Sequence, residues 1–288
     1  MLLIFLAAWK RPEITEICFM GIRRLRKNSL RPIEAFCVIS EESMIPLCKK
    51  YGIHYTMYKN DPLGEKKNHG LNEAMNLNWD YLIEIGSDDV LKNELIDLYE
   101  PYFNKGWDFF GVKDVLIINS DGGECRRLKS DTTYGLGRVI KRSVIEKYCY
   151  GVEVEALDDI ISPGRTTAKG DIGFFQVDAA EGFHRSGIGV IVGKPRYRLW
   201  KDGINRGLDN NSTYFLMTQG IGHRAIPTDK PLAIDIKGED NIWKFNKELG
   251  MAYELDKALE GLSEEEKSAV FALIKRKKRQ EIEYGNLQ

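Results

Sequence analysis

The spacing of apolar residues along this chain changes several times, and each change predicts an element. Residues 2–8 form a continuous apolar run, the mark of a strand buried on both faces. After Pro12, the residues Ile14, Ile17, Cys18, Ile22 and Leu25 follow helical spacing. Arg23, Arg24, Arg26 and Lys27 close that helix, where its dipole favours cations. Residues 35–39 read as a second strand, 41–51 as a short helix and 53–58 as a third strand. A helix is predicted over 66–78, with Leu71, Ala74 and Met75 on its apolar side. The strand 80–85 then runs through Gly86 into Ser87-Asp88-Asp89, ahead of a helix-like segment around Glu94, Leu95, Leu98 and Tyr99 that Pro101 is expected to end. This alternation predicts an α/β fold with a mostly parallel, doubly wound, Rossmann-like sheet and right-handed crossovers.

The second half is less regular. Residues 107–119 read as one long strand or a bent pair, and Asp121-Gly122-Gly123 as a hairpin turn. The glycine-punctuated loop Tyr134-Gly135-Leu136-Gly137 precedes a strand at 138–141, and Ser143 with Glu146 forms a capping-box pattern. A second acid pair, Asp158-Asp159, precedes a strand at 174–177. Residues 186–231 are rich in Gly, Arg and aromatics and are expected to form a loop over a site. Two helical patterns follow, over 246–259 and 263–283, the second opened by a capping box from Ser263 to Glu266. The expected organisation is a main domain over 1–245, in halves 1–118 and 119–245, with a C-terminal helical extension over 246–288.

Composition narrows the function classes. The 288 residues are 43% hydrophobic and 10% aromatic, enough for a substantial core. Lys and Arg number 42 against 43 Asp and Glu, so the basic excess of a general nucleic-acid binder is missing. The five cysteines form no Cys-x-x-Cys pair, which argues against a disulfide framework or zinc knuckle and for reduced thiols in a cytoplasmic protein. The opening apolar run has no basic segment before it, so a first strand is expected rather than a signal peptide. No run is long enough to span a bilayer.

Candidate chemistry centres on the acidic tip. Adjacent carboxylates repel and call for a cation or for hydrogen-bond donors, whereas the plain alternative for Ser87-Asp88-Asp89 is a helix cap. Asp158 and Asp159 carry the same two readings, a general base with its partner or a cap. Lys10, Arg11, Lys66 and Lys67 are either phosphate contacts or solvated surface charges. Of the four histidines, His54 and His69 fall in predicted elements, which leaves His184 and His223 as candidate ligands.

Taken in order, these motifs resemble those of GT-A glycosyltransferases, closest to the large inverting family 2, over roughly the first 190 residues. Ser87-Asp88-Asp89 looks like the Asp-x-Asp motif with Ser in place of its first acid. Tyr134-Gly135-Leu136-Gly137 is similar to the glycine loop, and Leu157-Asp158-Asp159 to the x-Glu-Asp motif with Asp in place of Glu. His184 sits where a C-terminal metal-binding histidine would fall. Trp9-Lys10-Arg11-Pro12 resembles the loop after the first strand, and residues 64–70 the segment lining the sugar nucleotide. The resemblance implies a divalent cation, Mn²⁺ or Mg²⁺, held mainly by Asp89, with Asp88 contacting ribose or metal-bound water and His184 closing the site. It implies Asp159 as general base with Asp158 as its acceptor-binding partner. It further implies a nucleoside-diphosphate sugar donor along Ala8, Lys10, Arg11, Glu41, Lys66, Lys67, Asn68, Ser87, Asp88, Gly135 and Gly137. The acceptor, whether glycan, lipid, protein or modified DNA base, is left open. The basic stretch 275–279 reads as a solvated face, an oligomer contact or a peripheral membrane contact. Two competing readings are a sugar-nucleotide nucleotidyltransferase and a non-catalytic carbohydrate- or nucleic-acid-binding protein on a degenerate transferase scaffold.

Overall fold

The computed structural model describes residues 1–155, 172–176, 194–238, 241 and 245–285. Its strands, in chain order, begin with β1 (Leu2–Ala8), β2 (Ile33–Ile39), β3 (His54–Met57), β4 (Tyr81–Glu84) and β5 (Asp89–Leu91). They continue with β6 (Phe109–Val112), β7 (Asp114–Asn119), β8 (Cys125–Lys129), β9 (Arg138–Lys141) and β10 (Tyr150–Glu155). The last are β11 (Ile172–Gln176), β12 (Lys194–Tyr197), β13 (His223–Ile226), β14 (Ala233–Lys237) and β15 (Met251–Tyr253). The helices are α1 (Pro12–Asn28), α2 (Ile45–Tyr51), α3 (Leu63–Ala74), α4 (Asn93–Asn104), α5 (Arg142–Tyr148), α6 (Leu208–Thr218), α7 (Leu255–Ala258) and α8 (Glu264–Gly285).

A seven-stranded sheet in the order β13-β6-β9-β4-β1-β2-β3 forms the centre. Six of its strands are parallel and only β9 runs against them, so the mixed α/β, Rossmann-like architecture expected from the alternation is present. Apolar clusters cover both faces of this sheet. One joins Leu2, Ile4 and Leu6 to α1, α2 and α4, and the other joins Leu3 and Phe5 to α3 and Trp200. A five-stranded sheet, β15-β8-β7-β14-β5, packs its own core of Val90, Leu116, Ile118, Ile234 and Ile236 against α1 and α8. A small antiparallel sheet, β11-β10-β12, completes the described strands.

Several local expectations change. The acidic tip leads not into a helix but into β5, and α4 starts only at Asn93, so neither Asp88 nor Asp89 caps a helix. Pro101 lies inside α4, which runs on to Asn104. The α3 helix spans Leu63–Ala74, earlier than predicted at both ends, and at its C-terminal end Trp79 folds back to donate its indole N–H to the Ala74 carbonyl at 2.8 Å. Residues 107–119 form two strands in different sheets, joined at Lys113. Ser143 is no cap. The helix begins at Arg142, whose guanidinium takes Glu146 at 2.7 Å. The stretch 186–231, expected to be loop, carries β12, α6 and β13 among its described residues. Residues 246–259 are not one helix, because Met251–Tyr253 pairs with β8 and only a single turn follows. The capping box before α8 is present, with the Glu266 N–H donating to Ser263 Oγ at 3.2 Å and the Ser263 N–H to Glu266 Oε2 at 2.8 Å. Among the described residues, no helix is long and apolar enough to cross a membrane.

Candidate active site at the edge of the parallel strands

The β4 strand ends at Glu84, and the chain turns through Gly86, Ser87 and Asp88 before Asp89 opens β5. Gly86 makes this turn possible: a Cβ there would crowd the carboxylates of both Asp88 and Asp89. Its N–H donates to Asp89 Oδ2. Strand β14 then delivers a third carboxylate. It pairs antiparallel with β5 so that Asp235 lies directly opposite Asp89 in the ladder. Like charges opposite one another are destabilising in a sheet, so this register carries a cost that packing alone does not explain. Asp88, Asp89 and Asp235 bring one carboxylate oxygen each to within 4.8 Å of one another.

Two cations answer this cluster. Lys237, two residues on from Asp235 and so on the same face of β14, forms an ion pair with Asp235 and lies 3.7 Å from Asp88. Arg11 donates from Nη1 to Asp88 Oδ2 and from Nη2 to Ser87 Oγ, each at 3.2 Å. Asn241 adds an N–H donor to Asp88 Oδ2. The positions of Lys10 and Arg11 are held at positive φ, 54° and 52°, a strained pair of left-handed residues between β1 and α1 that aims the Arg11 guanidinium at the tip. Burial would raise the Asp88 carboxyl, but Lys237 and Arg11 outweigh it and hold it below its ordinary value. Asp89 is different. Burial, with Asp235 and Asp88 alongside, pushes its carboxyl well above the usual range. Burial also pushes Asp235 up to about 7, although Lys237 opposes it. Asp235 Oδ1 is buried with no hydrogen-bond partner among the described residues.

The other residues singled out in the sequence are placed as follows. Ala8 ends β1, and its carbonyl accepts from Lys66 Nζ at 2.6 Å. Burial pulls the Lys66 ammonium down to about 8, with Cys37 and Glu41 acting the other way. Lys67 is paired with Glu84 and lies 4.4 Å over the Trp200 ring. Asn68 commits its side-chain amide to the chain opposite, accepting from the N–H groups of Leu199 and Trp200 at 3.0 Å and donating to Asp202 at 2.7 Å. Lys10 stacks its ammonium 4.4 Å above Trp9. Gly137 sits at φ 77°, and its N–H donates to the Glu84 carbonyl at 2.8 Å. Asp158, Asp159 and His184 lie outside the described residues. His223 shares a 2.7 Å hydrogen bond with Thr133 and belongs to no acid cluster among the described residues.

Sequence reasoning missed Glu84, Arg138, Asp209, Asp235, Lys237 and Asn241. Glu84 was hidden inside an apolar strand. It is fully buried, receives Lys67 and Arg138, and takes the Trp200 indole N–H at 3.0 Å. Against burial, Arg138 and Lys67 hold its carboxyl down at about 2. The only signal for Asp235 and Lys237 was polar–apolar alternation in Ala233-Ile-Asp-Ile-Lys237, which any half-buried strand shows.

Two cavities meet at the tip. One, of about 410 Å³, is lined by Lys67, Glu84, Asp89, Tyr134, Gly135, Asp209 and Asp235 among others. The other, of about 850 Å³, is lined by Trp9, Arg11, Lys59, Asn60, Lys66, Ser87 and Arg206 among others. Gly86, Asp88 and Lys237 belong to both walls. The two cavities are therefore joined along a shared wall at the acidic tip.

No family model and no curated protein sequence matches this chain. Among solved structures it is similar to S. aureus TarS residues 1–349, at 10% identity and a TM-score of 0.41, over 82% of this chain and 60% of that one. A longer S. aureus TarS structure is matched at 11% identity and a TM-score of 0.37, over 50% of this chain and 29% of that one. A CMP:2-keto-3-deoxy-manno-octonic acid synthetase complexed with CTP is matched at 12% identity and a TM-score of 0.34, over 79% of this chain and 89% of that one. The segments matched in the two TarS structures thus span less than two thirds of those chains.

Proposed function

We propose that this protein is a divalent-cation-dependent glycosyltransferase that moves a sugar from a nucleoside-diphosphate sugar to an acceptor, with inversion. The observation that carries the reading is the convergence of Asp88, Asp89 and Asp235 at the seam of two cavities. Among the described residues, three carboxylates converge there with two cations, Lys237 and Arg11. The partnerless Asp235 Oδ1 and the raised Asp89 carboxyl both fit a site completed by a cation. An all-oxygen donor set of this kind suits Mg²⁺ or Mn²⁺. Asp89 and Asp235 would hold the ion, with Asp88 beside them. When bound, the ion would neutralise charge growing on a diphosphate leaving group.

The chain's own residues supply the rest. Arg11 and Lys237 sit where diphosphate oxygens would cross the seam and can pair with them, while Trp9, Asn60 and Arg206 line the larger cavity for the nucleoside. Asp159 is proposed as the base that takes the acceptor hydroxyl's proton, and Asp158 as its acceptor-binding partner. The His184 assignment stays part of the proposal. The loop Ala7–Pro12 has no glycine, which disfavours the nucleotidyltransferase reading, since that chemistry usually uses a glycine-rich phosphate loop after the first strand.

The test is donor hydrolysis by the purified protein with UDP-, GDP-, ADP- and dTDP-linked sugars, with Mn²⁺, Mg²⁺ or chelator. Turnover that needs the cation and is lost in Asp89→Ala supports the reading. Equal activity in chelator, or in that variant, overturns the cation assignment.

A further inference from the structure

The smaller cavity has a charged wall that the cation and the diphosphate leave without a task. Asp209 lies there, with Tyr134, Gly135 and Leu136, in the same cleft as Asp89 and Asp235. It is the second residue of α6, where a helix dipole favours an acid. The dipole does not account for how closely the carboxylate is seated. Gly135 is bare beneath it, and a Cβ there would overlap the Asp209 carboxyl group.

The anchor of this wall is Arg138, which is fully buried. Its guanidinium is held by Glu84 on one side. On the other it donates to the Asp209 carbonyl and to Thr213 Oγ1, each at 2.7 Å, and to Ser212 Oγ at 3.0 Å. Arg138 Nη2 also lies 3.6 Å from Asp209 Oδ1. The first turn of α6 is therefore tied to the central sheet through a buried side chain with partners on both sides. The Asp209 side chain itself stays 52% exposed. A carboxylate whose backbone is anchored from behind and which is open in front accepts hydrogen bonds from neutral donors, and adjacent hydroxyls on one ring match its two oxygens. A second phosphate would be repelled there. Lys67 and Lys237, the lysines on the same cleft, are already paired with Glu84 and Asp235.

We infer that the smaller cavity holds the transferred sugar and that Asp209 accepts hydrogen bonds from its hydroxyl groups, which makes it a specificity-determining residue. The inference rests on the transferase reading. Calorimetry on the full chain in Mn²⁺ tests it, comparing UDP-glucose, UDP-N-acetylglucosamine, GDP-mannose and dTDP-glucose with UDP, GDP and dTDP. The affinity ratio of the preferred sugar nucleotide to its own diphosphate falls ~10- to 100-fold in Asp209→Asn, the range expected for hydrogen bonds to a charged acceptor, while diphosphate affinity holds within about twofold. Gly135→Ala, which keeps Asp209 but displaces its carboxylate, lowers the same ratio and guards against a folding artefact. A ratio unchanged in both variants overturns the inference and leaves the transferase reading intact. Wild-type protein that binds no diphosphate and no sugar nucleotide sinks both.

Discussion

Two buried ionic clusters lie on one cleft, within a few residues of each other along β4 and its turn, and they are built on opposite rules. Around Glu84, charge is matched: one carboxylate receives Lys67, Arg138 and an indole N–H, and Asp209 lies near the far side of Arg138. Around Asp89, charge is in excess, because Asp235 is set directly opposite it and Asp88 is next to it in the chain. Electrostatics reports the same contrast, with Glu84 held at about 2 and Asp89 pushed well up. A matched cluster needs nothing further and is a structural tie between β4, β9, α3 and Trp200. An unmatched one costs stability, and such a cost is the mark of a site completed by a ligand.

The sharpest way to break this comparison is to unbalance the matched cluster. Arg138→Met leaves Glu84 with only Lys67 and the Trp200 indole and strips donors from α6, and it is expected to cost about 3–5 kcal/mol in urea denaturation. A loss under about 1 kcal/mol would show that the tie is not structural. The next effect is acid sensitivity. Since the folded-state value of Glu84 lies below the ordinary one, its contribution is fully present above about pH 4.5 and is lost as pH falls toward about 2. The stability gap between wild type and Glu84→Gln is therefore largest near neutral pH and shrinks by on the order of 3 kcal/mol over that window. A gap that does not change with pH would place the stabilisation in packing rather than charge.

The unmatched cluster predicts the reverse response. Asp235→Asn removes the cross-strand repulsion, so the variant unfolds no more easily than wild type in chelator. Mn²⁺ at a hundredfold over its dissociation constant stabilises wild type by about 2.7 kcal/mol, seen as a rise in melting temperature, and that rise disappears in Asp235→Asn. Stabilisation by Mn²⁺ that survives the substitution would remove Asp235 from the cation site.

The difference between the clusters also explains what was legible in the sequence. The tip itself was visible because Gly86 and two adjacent acids interrupt an apolar strand. Local signals of that kind also located β1, the start of α1, the Asp121-Gly122-Gly123 hairpin and the Ser263 capping box. Asp235 becomes part of the site only through the pairing of β14 with β5, across about half the chain, and nothing local encodes that register. Glu84 was hidden for a related reason: its partners Lys67, Arg138 and Trp200 come from α3, β9 and the loop after β12. The pattern at 246–259 was misread because helical spacing in a short polar segment yields to edge pairing with β8. Helix or strand there is decided by the neighbour, not by the residues.

Gly135→Ala carries the smallest stability effect and joins the two clusters most directly. The added methyl group meets the carboxyl end of Asp209 rather than backbone, and that end is half exposed, so it can swing toward solvent. Glycine here is not required by a positive φ, unlike Gly137 at 77°. The expected cost is therefore about 1 kcal/mol or less in thermal or urea unfolding. Arg138 keeps its bonds to Glu84, Thr213 and the Asp209 carbonyl, so the matched cluster survives. The Mn²⁺-induced rise in melting temperature also survives, because none of Asp88, Asp89 and Asp235 is touched. Only the preference for a sugar nucleotide over its diphosphate falls. A cost of 3 kcal/mol or more would mean that Asp209 is locked in place as part of the structural tie, and the boundary between the two clusters would then have to be drawn beyond it.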